Sequence, residues 1–168
     1  MRKPVKFPEL RIDPKDVARY FLCRAFEDGD LVSPLKMQKL VYYAYAWTLV
    51  NNQQKLFDEE IQAWRNGPVV RSLYDELKQF GSGPITDTWL GDSRNVDLEK
   101  FADIFPEDVR KTLDEVYENY MTKTAFELVV ETHNEKPWLN ARKGLGPNDQ
   151  SGRAIADSDI LEEYSNRK

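Results

Sequence analysis

From Leu35 to Val50 the chain reads LKMQKLVYYAYAWTLV, and beyond Lys39 a helix built on it has no broad polar face. A surface helix opposes an apolar stripe to a polar one; a helix that is apolar all round must be covered on every side. The remainder of the chain must therefore supply a shell around this segment. Ser33-Pro34 gives it a start, an N-cap followed by Pro at the first helical position, and Asn51-Asn52 should let it fade. Of its residues, Lys36, Gln38 and Lys39 are expected to face water.

The shell is legible as further helices. Asp13-Pro14 repeats the start signal, and Val17, Phe21, Leu22, Ala25 and Phe26 follow at helical spacing until Gly29. Leu56 to Trp64 reads as a connector with at most a short extended piece through Ile61, Ala63 and Trp64, and no sheet is expected. Gly67-Pro68 is expected to turn the chain and open a helix, with Val69, Val70, Leu73, Leu77 and Phe80 on one face and Gly81 at its end. Residues 82–103 lack a period and read as a long loop from which Trp89 docks on the core.

Pro106 opens a helix carrying Val109, Leu113, Val116, Tyr117 and Tyr120. Thr124 and Glu127 form a capping box for a helix from Phe126 to His133, stopped by Asn134 and Pro137, and Ala156 to Tyr164 makes a last short helix. The pattern predicts an all-α fold, a compact single-domain bundle of about five to seven helices around the buried helix from Pro34 to Val50. Residues 1–12 should form a short basic arm with Arg2, Lys3, Lys6 and Arg11, and residues 13–165 the helical domain.

Composition narrows the chemistry. With 168 residues, 40% of them hydrophobic, one ordinary domain core is affordable. No apolar run reaches the ~18 residues of a membrane span, and the N-terminus has a basic start without the apolar stretch of a signal peptide, so a cytoplasmic protein without membrane contact is expected. One cysteine, Cys23, excludes an internal disulfide; with His133 as the single histidine, no zinc pattern can be assembled from several such ligands. No cofactor or metal is expected.

A net charge of −5 argues against direct nucleic-acid binding. Between Asp97 and Tyr120 eight acids face three bases, either an ordinary solvated helix face or an acidic surface for a basic partner.

Two strings carry a resemblance to a known family. LKMQKLVYYAYAWTL is followed by LFDEEIQAWRNGPVV with its Trp64-x-x-Gly67-Pro68 turn, and further on comes Thr132-His133-x-Glu135-x-Pro137-Trp138. Their order and separation resemble the Panacea domain, the all-helical module shared by GepA-like phage-associated proteins, the SocA-type proteolysis adaptor and many antitoxins. The resemblance implies an antitoxin that neutralises a protein toxin, encoded next to it, by direct binding. The alternative it implies is an adaptor delivering a partner to a protease.

The motif residues it singles out are Lys39, Tyr42, Tyr43, Trp64, Gly67, Pro68, Thr132, His133, Glu135, Pro137 and Trp138, as scaffold or as partner contacts. An enzymatic reading would start from His133 beside Glu135, an imidazole oriented by a carboxylate. No nucleophile motif accompanies them, and no catalytic residue is assigned. His133 should instead pack on Trp138 at a helix C-terminus, and the surface around the junction of the two motifs is the expected place for partner contacts.

Overall fold

A computed structural model describes residues 7–91 and 98–167. Eight α-helices are present among them: α1 (Pro14–Glu27), α2 (Pro34–Asn52), α3 (Arg71–Leu77), α4 (Leu98–Ala102), α5 (Glu107–Tyr120), α6 (Ala125–His133), α7 (Lys136–Ala141) and α8 (Asp157–Ser165). Helix α2 is the hub, packed against α1, α3, α5, α6 and α8. From Met37 to Ala46 every residue is buried, as an all-apolar helix requires. Its N-cap is the Ser33 hydroxyl, which accepts from the Lys36 amide at 3.2 Å; it ends where Gln53 turns left-handed, at φ 53°. The other starts follow the same chemistry, with Asp13 accepting from Lys15 N and Thr124 and Glu127 forming both halves of a capping box.

Helix α5 lies along α2 through aromatic contacts: Tyr120 stacks on Tyr43 at 4.0 Å between ring centroids, and its hydroxyl accepts from the Trp47 indole at 2.9 Å. Its acids are not all free to meet a partner. Asp114 accepts from Arg24 at 2.9 Å and from the Tyr20 hydroxyl, and Asp108 caps the Val109 amide at 2.9 Å. Asp103, Glu107, Glu115 and Glu118 remain exposed, while Asp97 lies outside the described residues. In the loop before α5, Trp89 docks on the core as expected, but Leu98–Ala102 folds into α4, which the sequence pattern does not announce.

One sequence expectation is corrected here. Gly67-Pro68 does not open a helix: β1 (Ile61–Trp64) and β2 (Gly67–Val70) form an antiparallel hairpin, and α3 begins only at Arg71. Residues around Arg153 extend the sheet on its other side, since Ala63 N donates to Arg153 O and Ile155 N to Ile61 O, both at 2.8 Å. The helix ahead of Asn134 and Pro137 ends at His133 as expected, but the sequence pattern does not announce that Pro137 then sits in the first turn of α7, where a missing N–H is tolerated.

The N-terminal residues that the structure describes are tied down rather than loose. Lys55 N donates to Pro8 O at 2.9 Å and Leu10 N to Lys55 O at 3.0 Å, while Ile12 is buried. Arg2, Lys3 and Lys6 lie outside the described residues.

A junction of two motifs as the candidate functional site

The hairpin explains why α2 carries polar residues on a helix with nowhere to expose them. Ile61 and Ala63 bond toward residues 153–155, so Gln62 and Trp64 face β2, and the register pairs these with Val69 and Gly67. Pro68 and Val70 are thereby left pointing outward, on an edge whose backbone groups need partners. Helix α2 provides them. The Gln38 amide accepts from Val70 N at 2.9 Å and donates to Val70 O at 3.1 Å, and Lys39 Nζ donates to Pro68 O at 3.0 Å. Pro68 has no N–H to satisfy, which suits it to this outward position. Gln38 and Lys39 were expected to be wet; both are buried, because their polar ends stand in for a third strand.

Lys39 is fully buried, and burial pushes it down from the usual lysine range to about 7. Among the described residues no ion pair offsets that shift. Its stem leaves no room above the turn: a Cβ on Gly67, whose φ is 107°, would lie 2.6 Å from Lys39 Cε and 2.8 Å from Thr132 Oγ1. Gly67 is therefore required twice, by conformation and by this close approach. Thr132 uses its hydroxyl to donate to Val129 O at 2.8 Å, so the two motifs meet as packed groups at this point.

The rest of the second motif grips the hairpin. Trp138 Nε1 donates to Trp64 O at 2.7 Å, and Arg142 donates to Ala63 O at 2.9 Å while spreading its second nitrogen over Asp149 O and Gly146 O. His133 stacks on Trp138 at 4.0 Å between centroids and 15° between planes. Burial, helped by the nearby charges of Lys39 and Arg142, lowers the imidazole below its usual value against a hydrogen bond with the Arg65 backbone. The imidazole is thus biased toward its neutral form, and among the described residues its buried Nε2 has no hydrogen-bond partner.

Glu135 turns the other way. Its carboxylate is buried and accepts from the Tyr43 hydroxyl at 2.6 Å and from the Tyr164 hydroxyl, with Arg167 at 4.0 Å. Burial raises it above the ordinary carboxyl range, an effect that the two hydroxyls oppose. Tyr42 joins the same cluster, 5.4 Å from the Tyr43 ring and 6.4 Å from that of Tyr164. His133 and Glu135, adjacent but for one residue, therefore serve different partners, and the acid/base pair that their spacing suggests is not assembled.

Of the eleven motif residues, nine are buried; Trp64 and His133 alone are partly exposed. Sequence reasoning missed Gln38, Arg142, Tyr164 and Arg167 as members of these networks. For Gln38 a signal existed, since a polar side chain on a helix without a wet face must find a buried partner.

Beside the hairpin lies a groove of about 820 Å³, bounded by the start of α2, Trp64 to Asn66, α3 and residues 150–152. Trp64 meets Tyr74 edge-on at 4.8 Å and carries the Arg71 guanidinium 5.6 Å from its centroid. Among the described residues no group of three or more His, Cys, Asp and Glu is placed to hold a metal ion, and no helix is long and apolar enough to cross a membrane.

No curated protein and no solved structure matches the chain. A family model described as "Antitoxin SocA-like, Panacea domain" matches residues 37–139, a span that holds the central helix from Met37 onward, the hairpin and the Thr132-to-Trp138 string that clamps it. With all eleven motif residues and more than half of its length inside that match, the chain belongs to the SocA-like Panacea domain family.

Proposed function

We propose that this protein is an antitoxin that neutralises a cognate toxin, encoded beside it, by direct protein contact in the cytoplasm. The observation that carries the reading is the family match over residues 37–139, whose description is that of an antitoxin. The geometry is consistent with a binding module: His133 and Glu135 are committed to separate scaffold contacts. What the scaffold presents outward is a half-exposed aromatic and cationic groove. Occlusion of a toxin requires a stable interface of roughly 1,200–2,000 Å² in total, well within the reach of a domain this size.

Co-expression tests the proposal. The neighbouring open reading frame should arrest growth when expressed alone and fail to do so with this chain, while the two proteins co-purify with the toxin intact. Loss of the partner only when a cellular protease is present would replace occlusion with protease delivery. Absence of rescue, with no binding to any neighbouring product, would refute both.

A further inference from the structure

The groove beside the hairpin has an electrostatic character opposite to that of the chain. The protein carries a net charge of −5, yet among the described residues the groove is lined by Arg65, Arg71 and Lys78 and by no carboxylate, with Asp75 and Glu60 at its margin. Leu35 is its exposed aliphatic residue, over the buried Val69 and Leu77, and its aromatic wall is the Trp64–Tyr74 pair. We propose that this groove docks an extended acidic segment of a protein partner, carboxylates meeting the three cations and apolar side chains seating on the aliphatic and aromatic surface. The proposal rests on the reading of the chain as a partner-binding antitoxin and names the chemistry of the segment it takes.

Three features support this occupant. Arg65 is exposed and forms no ion pair among the described residues. Arg71 and Lys78 share one exposed carboxylate, Asp75, at 3.5 and 3.8 Å, and such solvent-screened pairs are weak enough to be exchanged for an incoming carboxylate. Trp, Tyr and Arg, the residue types that dominate protein-binding hot spots, converge here on one concave surface. A nucleic-acid strand would use the cations but would leave the apolar and aromatic surface of the groove without a matching group.

The peptide side of the test is fluorescence anisotropy with a labelled peptide alternating glutamate and leucine. Controls are the same peptide with glutamine for glutamate, and a labelled single-stranded DNA oligonucleotide. The glutamate peptide should bind best, weaken as salt is raised, and lose roughly tenfold or more in affinity on the paired substitution Arg65→Glu and Lys78→Glu. Both side chains are exposed, so circular dichroism should confirm an unchanged fold. Equal binding of the glutamate and glutamine peptides, or indifference to the charge reversal, overturns the proposal; tighter binding of the oligonucleotide replaces the protein segment with nucleic acid.

The same double variant is then carried into the growth-rescue assay, where loss of rescue is expected. Full rescue by it refutes the groove while leaving the antitoxin reading in place. Failure of the unaltered chain to rescue refutes the antitoxin reading itself.

Discussion

Lys39→Met should abolish a pH dependence of stability that the natural chain carries. In the unfolded chain Lys39 titrates near 10.5, whereas burial holds it at about 7 in the fold. Between those values the unfolded state binds more protons than the native one, so stability rises with pH across this window and stops changing below about pH 7. Each pH unit well inside the window is worth about 1.4 kcal/mol. At pH 7, with the native amine half protonated, the ionisation difference destabilises the fold by about 4 kcal/mol, and near pH 9 by about 2 kcal/mol.

The natural chain should therefore gain about 2 kcal/mol relative to the Met variant between those two conditions. Titrating groups away from Lys39 occur in both proteins and cancel in the difference; His133, which the Lys39 charge lowers, does not, and His133→Gln in both chains removes its contribution. The variant also loses the donor to Pro68 O, a penalty of about 1–3 kcal/mol that does not vary with pH and so shifts the comparison without tilting it. Urea unfolding at about pH 7, 8 and 9 measures the tilt. If the two unfolding free energies run parallel, Lys39 does not titrate in that window and the reasoning from burial fails.

Further outcomes follow from the same networks. Gly67→Ala places a methyl against Lys39 and Thr132 at a φ of 107° and should destabilise the fold by about 1–3 kcal/mol or more in the same unfolding assay. Trp138→Phe removes the donor to Trp64 O and should cost about 1–3 kcal/mol; Trp64→Phe leaves that backbone acceptor in place and should leave the Trp138 indole proton's exchange protection unchanged by NMR. Because burial raises the Glu135 carboxyl, the native chain holds that proton to higher pH than the unfolded one. Stability from this group is then greatest in acid and is lost as pH rises through the raised value. Glu135→Gln should remove that slope from the acid limb of the stability profile.

Signals that act within one helical turn were readable from sequence. Asp13, Ser33 and Thr124 are capping side chains because each reaches a backbone amide two or three residues ahead. The hairpin was not readable, since Gly-Pro serves a helix start as well as a turn, and what secures this edge is Gln38 and Lys39, 29 to 32 residues away. Their burial could be inferred from the helix's lack of a wet face, but not their acceptors. The Tyr43–Glu135 bond closes a separation of 92 residues, so adjacency in the Thr132-to-Trp138 string suggested the wrong partner for Glu135. The motif junction itself was located correctly; that nearly all of its side chains turn inward was beyond reach without the fold.

The edge closed by Gln38 has a kinetic signature. An ordinary edge-strand amide exchanges its hydrogen with water through small local openings, but the Val70 amide is held by a side chain rooted in the central helix. Exposing it means lifting β2 off the central helix on which it packs, or turning the buried Gln38 side chain out of its place. In native-state hydrogen exchange Val70 should accordingly be slower than an ordinary edge-strand amide, an outlying position on the hairpin that is held from the centre of the molecule.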